Sequence, residues 1–117
     1  MTEVRRLLVV EDDAAFARTL SRSLERRGFE VRSLPALDSI DDLPEDFSPT
    51  HAVVDLKLAG GASGLACVKL LHAYDPELLV VVLTGYASIA TAVEAIKLGA
   101  CNYLAKPANS DDIEAAF

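Results

Sequence analysis

Residues 78–84 read LLVVVLT, apolar at every position up to Leu83 and polar only at Thr84. A strand with one face in water alternates apolar and polar residues. A strand covered on both faces does not, and such strands are typical of parallel sheets flanked by helices. Parallel neighbours cannot be joined by a tight hairpin, so a crossover must lie on each side of the run. Upstream, Leu65, Val68 and Leu71 share one helical face, with Ser63 as the expected cap and Asp75-Pro76 as the stop. Downstream, SIATAVEAIKLGA (88–100) predicts a helix with Ile89, Val93 and Ile96 inward and Gly99 as its end.

The same alternation reaches both ends of the chain. RRLLVV (5–10) reads as a first strand, and Phe16, Leu20 and Leu24 mark one face of a helix over 14–27. Asp13 can cap that helix and Gly28 can end it. FEVRSL (29–34) is a second strand, polar at alternate positions and so near an edge. Residues 35–50 predict a short helix near Asp38–Leu43 and then a solvated acidic loop. HAVVDL (51–56) is a third strand, AGGASG (59–64) a loop, and CNYLAKP (101–107) a fifth strand. SDDIEAAF (110–117) opens like a helix, with Ser110 as cap and acids in its first turn, and stops after two turns. The last helix is therefore expected to be truncated and the chain to be a piece of something longer. Five strand–helix repeats predict an α/β fold: a doubly wound five-stranded parallel sheet with right-handed crossovers and helices on both faces.

Composition narrows the function. The 117 residues suit one domain, and 51% of them are apolar, enough for a real core. A net charge of −7 argues against nucleic acid as a direct partner of this piece. No apolar run is long enough for a bilayer and no signal peptide opens the chain. Cys67 and Cys101 form neither a disulfide framework nor a zinc pattern, which points to a reducing, cytoplasmic setting. Cys101 reads as a small core residue in preference to a redox sensor. His51 and His72 stand apart from other metal-type ligands and read as incidental.

In a sheet of this kind, ligands sit beyond the carboxyl ends of the strands. Strand one delivers Asp12 and Asp13 there, strand three Asp55, strand four Thr84, and strand five Lys106 followed by Pro107. Each is polar after an apolar run. One acid would suffice to cap a helix, so the like charge of Glu11, Asp12 and Asp13 needs another reason. A hard divalent cation supplies one, since Mg²⁺ takes one or two carboxylates together with waters and a phosphate oxygen. A carboxylate can also be a nucleophile toward phosphorus, with an ammonium and a hydroxyl meeting the charge on the transferring oxygens. Asp55, Lys106 and Thr84 suit those three roles.

With VVEDD, VVDLKL, VVLTGYAS and YLAKP in place, the chain resembles the receiver domain of bacterial two-component response regulators over essentially all 117 residues. The resemblance implies the flavodoxin-like strand order 2-1-3-4-5. It makes Asp55 the phosphoacceptor, with Mg²⁺ on Asp13, Asp55 and the Lys57 carbonyl, and Asp12 on a metal-bound water. It makes Thr84 and Tyr103 a switch pair, although an aromatic residue can simply fill a sheet's flank. It implies a cis Lys106–Pro107 bond that aims the lysine. The implied partner is a sensor histidine kinase, for which the exposed stripe Arg18, Arg22 and Arg26 is a docking candidate as well as an ordinary solvated face. The implied output is a changed surface on the fourth helix, fifth strand and fifth helix, with possible homodimerisation there.

From residue 83 onward the chain looks most like redox-responsive global regulators of photosynthetic and respiratory genes. In these a helix-turn-helix DNA-binding domain follows the receiver, so DNA binding is expected to belong to a C-terminal part absent from this chain.

Two features depart from the family. Ala59 stands where a proline is usual, and Gly64 falls one place late, so the 59–64 loop reads as one residue longer. Lys57 and Tyr86 each lie two places after a site residue, and a bulky Tyr86 is expected to slow hydrolysis of the acyl phosphate. Two other readings compete. A phosphatase of the haloacid dehalogenase type would need an Asp-x-Asp after strand one and room for a cap, and neither is found here. A phosphorylation-independent module of the same fold should have lost site residues, and none is lost.

Overall fold

A computed structural model describes residues 4–56, 64–85 and 89–117. Its strands are β1 (Arg5–Val10), β2 (Phe29–Leu34), β3 (His51–Asp55), β4 (Leu79–Thr84) and β5 (Asn102–Ala105). Its helices are α1 (Ala14–Glu25), α2 (Gly64–Tyr74), α3 (Ile89–Lys97) and α4 (Ser110–Ala116). All strand pairs are parallel, in the order β2-β1-β3-β4-β5.

The pleat divides the core into two layers. Leu8, Val10, Val54, Val80 and Val82 face α2 and α3, meeting Cys67, Val68, Leu71 and Ala95. Leu7, Val9, Val53 and Leu83 face the other way, onto Leu20 and Leu24 of α1 and Ile113 of α4. β4 is buried from Val80 to Thr84, as its unbroken apolar run requires, whereas β2 exposes Glu30 and Arg32 at the sheet's edge.

Local chemistry sets several boundaries differently from expectation. Only Ile40–Asp42 in the segment after β2 is helical, as one 3-10 turn closed by a capping box between Ser39 and Asp42. The cap of α4 is Asn109, whose side chain accepts from Asp112 N–H while the Asp112 carboxylate accepts from Asn109 N–H. Ser110, expected as cap, is instead the first helical residue, and its hydroxyl meets that of Ser23 on α1. On α3 the packed residues are Ala92 and Ala95, while Val93 and Ile96 remain 43% and 40% exposed. Small side chains let that helix sit close to the sheet, so its larger apolar residues turn outward. The Ile89 side chain and Ser63 lie outside the described residues. Cys67 is buried, whereas Cys101, expected in the core, is exposed at the foot of the edge strand.

The pole opposite the carboxyl ends is tied by charge and rings. Glu114 of α4 accepts from Arg5 at 2.8 Å and from Arg27 at 2.9 Å. His51 lies edge-to-face between Phe29 and Phe117, with centroids 5.4 and 4.7 Å away.

Candidate functional site

β1 ends at Val10, yet its ladder with β2 runs one residue further, because Glu11 N–H donates to Leu34 O at 3.0 Å. Glu11 is thus held within the sheet's carboxyl edge and is only 4% exposed. Asp12 lies on the exposed rim. Asp13 has extended backbone and caps α1, its carboxylate accepting from Phe16 N–H at 3.1 Å. Asp55 closes β3 and is also 4% exposed. α2 begins hard against it: a Cβ on Gly64 would fall 2.3 Å from Asp55 O and 2.5 Å from Leu56 Cα. No real Cβ tolerates such contacts with backbone, so a glycine is required where the helix meets the strand.

Thr84 ends β4 and is buried, in register with Ala105 of β5. Its carbonyl accepts from Lys106 N–H at 2.7 Å, which fixes where the lysine leaves the strand. The Lys106–Pro107 peptide is cis. The lysine Nζ donates to Asp55 Oδ2 at 2.7 Å and to Glu11 Oε1 at 3.1 Å, and lies 5.2 Å from the centre of the Phe16 ring. A cavity of about 470 Å³ opens beside it, lined by Glu11, Asp13, Phe16, Gly85, Lys106 and Pro107.

Burial is the main cause pushing the Glu11 carboxyl up to about 7, with Asp55 beside it adding to the shift and Lys106 opposing it. For Lys106, burial works against the charged form, but the hydrogen bonds to Asp55 and Glu11 outweigh it and raise its pKa. Glu11 Oε2 is buried and has no hydrogen-bond partner among the described residues. Such an orphan oxygen costs on the order of 1–3 kcal/mol. One carboxylate oxygen each from Glu11, Asp12 and Asp55 lie within 4.8 Å of one another. Hard oxygen donors, one of them unpaired, fit a divalent cation.

Sequence reasoning brought Asp12, Asp55, Thr84 and Lys106 to this edge, and all four are there. The cluster of carboxylate oxygens is made by Glu11, Asp12 and Asp55, while Asp13, expected as a ligand, caps α1 through one oxygen and lines the adjoining cavity. The capping role of Asp13 was legible in the chain, since an acid directly before Ala14 is a natural cap. Lys57, Ala59 and Tyr86 lie outside the described residues. Tyr103 of the edge strand β5 is 43% exposed and in register with Val82 of β4. Arg18 and Arg22 on α1 and Arg26 at its C-cap are exposed, and the first two border a groove that reaches Asp12.

Residues 7–117 match the model of the response regulator receiver domain. The chain is 47% identical over 111 residues to the acid tolerance regulatory protein ActR of Rhizobium meliloti, covering 95% of this chain and 57% of that protein. It is 45% identical over 113 residues to the photosynthetic apparatus regulatory protein RegA of Rhodobacter capsulatus, covering 97% and 61%. It therefore spans about three fifths of the length of these curated relatives. A crystal structure of a response regulator protein from Burkholderia pseudomallei, with a phosphorylated aspartic acid, calcium ion and citrate, superposes with a TM-score of 0.87 at 48% identity. That match covers 96% of this chain and 65% of the other.

Proposed function

The chain belongs to the response regulator receiver family, and from that premise we propose that it is a phosphorylation switch whose acceptor is the Asp55 carboxylate. The observation that carries the reading is the meeting of Asp55 Oδ2, Glu11 Oε1 and Lys106 Nζ at one buried edge. An Asp55 oxygen attacks phosphorus of a phosphodonor. The bond from phosphorus to the donor's leaving group breaks, and that group departs with the electron pair, as acetate does from acetyl phosphate. Lys106 is placed to meet negative charge on the transferring oxygens, and the Thr84 hydroxyl is the donor proposed for another of them.

Glu11, Asp12 and Asp55 would hold Mg²⁺, with the Lys57 carbonyl as a further candidate ligand. Asp13 would serve the site indirectly through the α1 cap. The cation's contribution would be to neutralise charge between donor and acceptor. Slow loss of the phosphoryl group to water would follow from the same groups.

The added charge, about −1.5 to −2 near neutral pH, would draw Thr84 and Lys106 toward the phosphoryl group and give Tyr103 room to turn in. The face of α3, β5 and α4 would change with it, as a shift between two existing forms. That face carries exposed Val93, Ile96 and Tyr103, which suits a surface for output or homodimerisation. A sensor histidine kinase is the proposed donor, docking along Arg18, Arg22 and Arg26. The longer relatives are named as regulatory proteins, which supports transcriptional output through a DNA-binding part beyond this chain. Among the described residues no helix is long and apolar enough to cross a membrane, in keeping with a cytoplasmic setting.

Intact mass after incubation with acetyl phosphate and Mg²⁺ tests the proposal. One added phosphoryl group is expected on the wild type and none on Asp55→Asn. No addition to the wild type would favour a phosphorylation-independent interaction module.

A further inference from the structure

We propose that Phe16 is a positioning residue for Lys106, its aromatic face holding the ammonium in line between Asp55 and Glu11; this rests on the phosphoacceptor reading above. Lysine carries a compact charge on a flexible four-carbon stem, so its head must be located by what surrounds it. Two sides are set by Asp55 Oδ2 at 2.7 Å and Glu11 Oε1 at 3.1 Å. The Phe16 ring supplies a third, with its centroid 5.2 Å from Nζ, within the range of a cation–π contact.

The ring suits this place better than another carboxylate would. Its quadrupole attracts the ammonium but offers no lone pair, so the ring does not take up the third N–H, which is left for an incoming phosphoryl oxygen. It also walls the cavity beside Lys106 and Pro107, which limits water around a side chain that is 31% exposed. The ring's own position follows from the cap: Phe16 N–H is the group that the Asp13 carboxylate accepts from. Asp13 thereby fixes the first turn of α1, that turn places the ring, and the ring places the ammonium.

The test is phosphorylation by acetyl phosphate at saturating Mg²⁺ in Phe16→Leu, in Phe16→Trp and in a series carrying one, two or three fluorines on the Phe16 ring. Leucine keeps the apolar wall and removes the aromatic face. It should lower the maximal rate about 2- to 5-fold, the range expected for one partly exposed cation–π contact, while the half-saturating donor concentration stays put. Tryptophan should retain the rate. Each added fluorine should lower the logarithm of the rate by a similar step, which packing alone would not do. A flat fluorine series, or a leucine variant equal to wild type, overturns the proposal.

A second readout needs no phosphorylation. The Lys106 ε-methylene protons should be shifted by the ring current in wild type and relax toward ordinary lysine values in Phe16→Leu. No shift in wild type overturns the ring contact. Failure to label the wild type at all would overturn the phosphoacceptor reading, leaving the ring contact to be decided by this measurement.

Discussion

Lys106 Nζ donates to Asp55 Oδ2 at 2.7 Å across 51 residues of chain, and the same ammonium reaches Glu11 Oε1 at 3.1 Å. Three strands meet in that contact. β1 leads into the glutamate, β3 ends on the aspartate, and the lysine follows β5. Burying the two carboxylates side by side is costly, and the ammonium between them offsets part of that cost.

Removing the cation should separate chemistry from folding. Lys106→Ala is expected to slow phosphorylation by acetyl phosphate about 100-fold, the usual loss when one aligned donor to a developing oxyanion is deleted. It should also lower the stability of the metal-free protein by about 1–3 kcal/mol, because two buried acids lose their partner. Saturating Mg²⁺ should return much of that stability but little of the rate. Denaturant melts with and without Mg²⁺, beside a labelling time course, check both, and a rate close to wild type would remove Lys106 from the chemistry.

Asp12 and Asp13 should behave as opposites. Asp13→Ala deletes the α1 cap and is expected to cost about 1 kcal/mol of stability, with Mg²⁺ affinity kept. Asp12→Ala is expected to leave stability nearly unchanged and to weaken Mg²⁺ binding clearly. Calorimetric titration with Mg²⁺ decides between them. Loss of binding in Asp13→Ala and its retention in Asp12→Ala would restore Asp13 as the ligand.

Glu11 should make the metal-free protein less stable as the medium becomes more alkaline. Its folded pKa of about 7 lies above the ordinary 4.5, so the folded state holds a proton that the unfolded state has released. Stability from this group is therefore full below pH 4.5 and is lost as pH rises toward and through 7, by on the order of 3 kcal/mol at most. Glu11→Gln should flatten that slope and be the more stable protein at pH 8 in EDTA. Mg²⁺ binds the ionised carboxylate, so its affinity should rise over the same window. An unaltered slope in the glutamine variant would contradict the assignment.

His51 predicts the reverse slope at the other pole. Burial first, and then the nearby Arg5, hold its imidazole below the ordinary 6.5. The unfolded chain takes up the proton first, so stability from this group is full above pH 6.5 and falls as the medium is acidified through the depressed value. His51→Phe should remove that acid-side loss, seen in melts between pH 5 and 7. An identical pH profile would show that the ring between Phe29 and Phe117 does not titrate in that range.

Much of this arrangement was legible because apolar runs and their polar ends are strong signals. The unbroken run Leu78–Leu83 declared a strand covered on both faces, and Asp55, Thr84 and Lys106 each announced themselves as the first polar residue after such a run. The strand order came with the family resemblance rather than from the run itself.

What was less legible turned on choices between neighbours. Three successive acids do not say where the strand stops, and one extra rung with Leu34 O pulls Glu11 into the edge while Asp13 goes to the cap. Val93 and Ile96 have the right spacing for a buried face, but α3 seats through Ala92 and Ala95, whose small volume permits a closer approach. Asn109 outcompetes Ser110 as cap because it stands three places before Asp112 and closes a reciprocal pair. Cys101 has a core residue's chemistry at an edge strand's address.

The central claim is that phosphorus is carried by the side chain at position 55. Borohydride reduces an acyl phosphate to the alcohol, converting the labelled aspartate to homoserine, which peptide sequencing by mass spectrometry then locates. After acetyl phosphate and Mg²⁺, homoserine is predicted at position 55 and at no other acid. Homoserine at 12 or 13, or none anywhere while Asp55 is intact, would contradict the account.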